Sequence, residues 1–329
     1  MQKSLLLTPP PSETYQCTSF FIAILTAHPS IQNYYYNNFI NLKCRSSSES
    51  PSTELTYITN HWEYIRPYNF AQIDEYNLKN IPRNQLVPLL KKCIDDNKYL
   101  LLYMVDDYYL SYSASYKSIH YIHDTYIYGY DNDSFLVQAY SNANLHLLKV
   151  PAEEIEESLY NINTDLDVTF KTLYIDDSKN VDLDLHTIYT EFNNYLNGVA
   201  PNDLGSFGIY GMNTYKALFE FLEMIPIQME NSGNLLDYRI LRFFWEHKES
   251  RTILLQYIKG SIHIDDEILL LSNKISKLSC NLFNQFLKYT IQKNSNHLEK
   301  MNNYLERIEE LDYTFTTSMI EILKRELEI

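Results

Sequence analysis

Three observations predict an α+β fold. Residues 18–28 form an apolar run of helical length, short runs rich in β-branched and aromatic residues cluster between 99 and 140, and from about residue 183 apolar side chains recur at three- and four-residue spacing. A chain of 329 residues with 45% apolar composition can bury more than one core. The change of pattern after residue 150 divides it into a mixed domain at 1–150 and a mainly helical one at 151–329.

The first helix is TSFFIAILTAH, preceded by small polar residues and stopped by Pro29, so Cys17 stands at its N-terminus. Residues 45–53, RSSSESPST, read as a polar loop. In 84–97, Leu86, Leu89, Leu90 and Ile94 fall on one face of a helix that carries Cys93 despite Pro88. Strands at 99–105, 123–130 and 135–140 follow. The turn Asp131-Asn132-Asp133-Ser134 joins the last two, which makes an antiparallel meander. Val150-Pro151-Ala152-Glu153-Glu154 ends a strand and starts a helix. Further helices are predicted over 183–197, 212–224, 237–259 with Asp237 as N-cap and Gly260 as stop, 265–293 and 296–327. The last two form an antiparallel hairpin packed on the rest.

Charge narrows the function. A formal net charge of −15 with no basic run argues against nucleic acid as a partner, because phosphate binding needs clustered Lys and Arg. The apolar stretch in MQKSLLLTPPPSE is three leucines, too short for a secretory signal, and no run reaches the length of a membrane span. The expected location is the cytoplasm, with no membrane partner. Cys17, Cys44, Cys93 and Cys280 contain no CxxC pair, so free thiols are expected in place of a metal site or a disulfide framework.

Cys17 is the thiol whose position suits chemistry. At a helix N-terminus the macrodipole and main-chain N–H groups favour a thiolate, and the same groups can hold the oxyanion of a tetrahedral intermediate. Among nine histidines, His123 begins a strand. If 99–105 pairs antiparallel with 123–130, Asp106 or Asp107 comes beside it and can orient the imidazole. Taken singly these residues are ordinary: a cysteine ahead of an apolar helix is more often packing than nucleophile, and His123 reads equally as a cap.

Together the residues resemble the papain-like, cysteine-peptidase-related acyltransferase family of antibiotic biosynthesis typified by the butirosin-biosynthesis acyltransferase. The matching segments are Cys17 opening CTSFFIAIL, Val105 to Leu110 (VDDYYL), and His120-Tyr121-Ile122-His123 running into Tyr128-Gly129-Tyr130-Asp131. Asp237-Tyr238-Arg239 and Glu246-His247-Lys248 look similar in the helical half. The resemblance implies a half-papain fold with an antiparallel sheet and a C-terminal helical region. It also implies an activity, the transfer of an acyl or peptidyl chain from a carrier-protein thioester through Cys17 to an amine or diamine, with formation of an amide. Cys17 carries over as nucleophile, His123 as base and acid, and Asp106 as the orienting carboxylate, while Gln16 and His120 are read as substrate-binding. The phosphopantetheine arm of the carrier protein is the donor, and no other cofactor is expected.

The sequence departs from that family in two places. Peptidase relatives put Asp or Asn at the end of the strand after the histidine, where this chain reads Leu136-Val137-Gln138-Ala139-Tyr140. The third role therefore falls to Asp106, with Asp107, Gln138 and Asn142 as alternatives. The glutamine that papain-like proteases carry several residues before the cysteine is also missing. An acidic surface suits a cationic amine. An acidic carrier protein would need local basic groups, for which Lys91-Lys92, Arg239-Arg242 and Lys248-Arg251 are candidates. Two other readings stand beside this one: a cysteine peptidase or thioesterase, and an inactive binding scaffold.

Overall fold

The computed structural model describes residues 2–47, 50–59, 62–141, 144–162, 167–199, 208–232 and 237–329. Along the chain run β1 (Gln2–Ser4), α1 (Gln16–Ala27), α2 (Gln32–Asn38), β2 (Leu42–Ser47), β3 (Ser50–Tyr57), β4 (Ala71–Asn77), α3 (Arg83–Asp95) and β5 (Lys98–Asp106). Next come β6 (Ile122–Asp131), β7 (Ser134–Ser141), β8 (Asn144–Pro151), α4 (Ala152–Tyr160), β9 (Thr169–Ile175), α5 (Leu185–Asn197) and β10 (Ile209–Tyr210). The chain closes with α6 (Thr214–Ser232), α7 (Arg239–Ile258), α8 (Asp266–Gln292) and α9 (Ser295–Leu327). The fold is α+β with an antiparallel sheet and a C-terminal helical region.

The chain divides into two units, Met1–Gln32 with His61–Val181 and Asn33–Asn60 with Asp182–Ile329. This differs from a boundary at 150, for two reasons. β9 lies between β4 and β5 in the first unit's sheet, so that sheet is incomplete before Ile175. The β2–β3 hairpin pairs with β10 and belongs to the second unit. The stretch 45–53, expected as a loop, supplies rungs of that hairpin, among them Arg45 opposite Glu54; residues 48–49 lie outside the described ones.

In the first unit the sheet runs β4-β9-β5-β6-β7-β8, and β1 also pairs with β6. Side chains alternate between its faces. On one face Leu100, Leu102, Val105, Ile127 and Val137 close against Leu86, Leu90 and Ile94 of α3 and Ile155 and Leu159 of α4. The opposite face takes α1, which is apolar all round and buried accordingly from Phe20 to Leu25. Phe20 stacks on Tyr126 of β6 at 5.0 Å and meets Tyr99 of β5 edge-on. Thus α1 sits on the Tyr126 face, and α3 and α4 on the Ile127 face.

The second unit buries a charged cluster among its helices. Asp312 Oδ2 accepts from Tyr195 Oη (2.6 Å), Tyr215 Oη (2.8 Å) and Lys248 Nζ (2.7 Å), and Oδ1 accepts from Arg251 (2.5 Å), which also donates to Thr316 (2.9 Å). One carboxylate faces two cations, and Arg251 cannot release its proton. Lys248 is the group that yields: burial, aided by Arg251, outweighs the pull of Asp312 and pushes its ammonium down to about 7. For Asp312 burial works upward, but Arg251 and Lys248 hold the carboxyl well below the usual range. Lys248 and Arg251, considered above as docking charges for a carrier protein, are spent inside this core, and Glu246 and His247 are buried with them.

A pH dependence follows with a definite sign. Between about 7 and the ordinary lysine value of 10.5, the unfolded chain binds a proton at Lys248 that the folded chain does not, so stability rises with pH across that window. Lys248→Met is expected to leave stability at neutral pH within about 1 kcal/mol of wild type or to raise it, since Arg251 still neutralises Asp312 and the charge removed is the one that burial disfavours. The variant should also lose this component of the rise, measured as the difference between the two proteins' urea midpoints at pH 7 and pH 9.5.

Candidate active site

The helix that carries the thiol begins one residue before it. Cys17 is the second residue of α1, partly exposed, with no acidic residue in the first turn and no side-chain cap. Gln16 anchors this end: its Nε2 donates to the main-chain oxygens of Asp124 (3.0 Å) and Gln138 (3.4 Å). It bridges β6 and β7 beside Tyr126–Gln138, the last rung of their pairing toward the start of β6. Both amide hydrogens of Gln16 are occupied this way, so it ties the helix to the sheet.

Cys17 lies close enough to Tyr126 for its charge, after burial, to help push the phenol well above its ordinary value. Tyr126 donates to Asp124 Oδ2 at 2.8 Å, and burial raises the Asp124 carboxyl. Gln138 is opposite Tyr126 in the ladder and so shares its face. It is 2% exposed, and its Oε1 has no hydrogen-bond partner among the described residues. Such a buried acceptor carries a free-energy cost until a donor reaches it.

The two histidines separate by face. His123 pairs with Val105, whose side chain is in the α3 and α4 core, so its imidazole leaves β6 on the side of Thr125. There it is beside Asp107, whose carboxyl is raised by burial and lowered by the hydroxyl of Ser113 (2.9 Å) and by His123. The His123 ring stacks on Tyr121, 5.7 Å between centroids, and among the described residues no side-chain hydrogen bond joins it to Cys17. Asp106 points the other way, because consecutive strand residues alternate and its partner, Ile122, belongs to the face of Asp124 and Tyr126.

The expected Asp106–His123 pair is therefore replaced by Asp106–His120. The carboxylate, 1% exposed, takes His120 Nδ1 at 2.6 Å on Oδ2 and the N–H groups of Tyr108 (3.1 Å) and Tyr121 (3.2 Å) on Oδ1. The His120 ring, 62% exposed, lies parallel to Tyr108 at 4.2 Å. Sequence reasoning matched the ends of the strands correctly but not their faces. Asn142, the remaining alternative, lies outside the described residues.

Two other sets of groups complete the inventory. Burial pushes the Cys44 thiol up to about 12 and raises those of Cys93 and Cys280, which leaves them poor nucleophiles at neutral pH. His28, at the C-terminal end of α1, had no signal in the sequence beyond a helix stop. Its Nδ1 meets Asp177 at 2.7 Å and its Nε2 meets Tyr99 Oη at 2.8 Å, beside a cavity of about 370 Å³ also lined by Lys3 and Asp176. With both ring nitrogens engaged, His28 braces the helix end. Among the described residues no group of three His, Cys, Asp or Glu side chains is placed to hold a metal ion, and no helix is long and apolar enough to cross a membrane. The chain matches no protein-family model and no curated protein.

Proposed function

We propose that this protein is a papain-like, cytoplasmic acyltransferase that takes an acyl or peptidyl group from a carrier-protein thioester onto Cys17 and passes it to an amine, forming an amide in natural-product biosynthesis. The observation that supports this reading is the position of Cys17: a partly exposed thiol in the first turn of a helix with no side-chain cap, held by Gln16 against the start of β6, the strand that carries His123 and that His120 precedes. The N-terminal end of a helix lowers the cost of a thiolate, and an activated thioester carbonyl is an electrophile that a thiolate attacks without further activation. In the family resembled, His123 manages the proton of the thiol. Here the carboxylates near His123 are Asp107 and Asp124, and the imidazole stands at the start of β6, beyond the last β6–β7 rung.

The acceptor follows from charge. A protein of net charge −15 concentrates cations near its surface, which suits an amine or diamine. With Lys248 and Arg251 buried, Lys91 and Lys92 on α3 and Arg239 and Arg242 on α7 are the candidate basic groups left for an acidic carrier. Intact-mass spectrometry after incubation with an N-acetylcysteamine thioester tests the reading. The expected result is a single added acyl group, discharged faster by a diamine than by water. No adduct at any pH near neutrality would sink it.

A further inference from the structure

The geometry points to His120, oriented by Asp106, as a base that takes the proton from the attacking amine; this rests on the acyl-transfer reading above. The half-reactions differ in what they ask of a base. Acylation exchanges one thiolate for another at the carbonyl and needs Cys17 only as its thiolate. Aminolysis has a proton to lose: the amine nitrogen forms a C–N bond, the C–S bond to Cys17 breaks, the electron pair leaves on the Cys17 sulfur, and the amine's proton must go to an acceptor.

Asp106 prepares that acceptor. A buried carboxylate on Nδ1 keeps a proton on that nitrogen and leaves Nε2 as the lone-pair end, the tautomer a general base requires. Two main-chain N–H groups fix the carboxylate and the Tyr108 ring fixes the plane of the imidazole, so His120 is held in orientation although its ring is exposed. Asp106 is therefore a positioning residue. It leaves β5 on the face that carries α1, and His120 is four residues before Asp124, whose main chain Gln16 holds. His123 points to the other face. The exposure of His120 suits an acceptor that arrives from solvent, and it lets the captured proton pass on to water.

The test uses the full-length protein acylated by an N-acetylcysteamine thioester, with ethylenediamine as acceptor. His120→Gln should take up the acyl group within about threefold of the wild-type rate but discharge it to the amine about 10²-fold more slowly. If wild type is acylated and His120→Gln discharges at the wild-type rate, the assignment of the base is overturned while the function stands. If wild type takes no acyl group, the acyl-transfer reading fails and this step falls with it. The ring itself is read separately by ¹⁵N NMR. Wild type should carry its proton on Nδ1 of His120, and Asp106→Asn should lose that preference; a proton resident on Nε2 in the wild type overturns the assignment.

Discussion

Cys17→Ala is expected to abolish the acyl adduct and to lower amide formation by at least about 10³-fold, because covalent catalysis has no second route once the nucleophile is removed. The comparison is clean for two reasons. Cys17 is partly exposed between buried Gln16 and Thr18, and the apolar side chains that anchor α1 run from Phe20 to Leu25, so the substitution should change stability by no more than about 1 kcal/mol. The remaining thiols are poor substitutes, since burial raises Cys44, Cys93 and Cys280. Initial rates of amide formation, with thermal melting alongside, supply the measurement. A variant that folds normally and retains activity within tenfold would move the chemistry away from Cys17 altogether.

The largest effect on stability is expected at Asp312. Asp312→Asn preserves the shape of the side chain but withdraws the carboxylate that pairs with Arg251 and Lys248, both buried in the second unit. Removing one partner of a buried ion pair costs about 3–5 kcal/mol, because the other charge stays behind in a medium that cannot solvate it. That is a large share of a total stability of about 5–15 kcal/mol. Equilibrium urea unfolding is the readout. Combining Asp312→Asn with Lys248→Met should recover part of the loss, since one stranded cation is removed as well. A loss under about 1 kcal/mol would mean that Asp312 does not neutralise the cluster.

Local periodicity made much of the fold legible. The helix after Cys17, the meander of β5, β6 and β7, and the long C-terminal helices all carry their patterns within a single segment, and each lies within a few residues of its expected place. β4 and β9 do not. AQIDEYN has a polar residue at most positions, and TFKTLYI stands alone in the chain, so each is a strand by virtue of a partner distant in sequence. The site divides similarly. Cys17 at a helix start can be read from residues 16–28, and Asp106 near the start of β6 follows from antiparallel pairing. The histidine that Asp106 holds does not, because that depends on which way Val105 and Asp106 turn, and the answer is set by packing against α3 and α4.

The position of β9 bears on how the protein is made. β5 needs β9 along one edge, yet β9 is about sixty residues further along the chain, and β4 reaches the sheet only through β9. At about 5–20 residues per second, a ribosome releases β5 several seconds before the strand that covers it. During that interval the nascent chain presents Lys98–Asp106 as an unguarded template for pairing with other chains. Sequestration of this segment by a chaperone, or slow translation beyond residue 175, would therefore decide how much of the newly made protein becomes native.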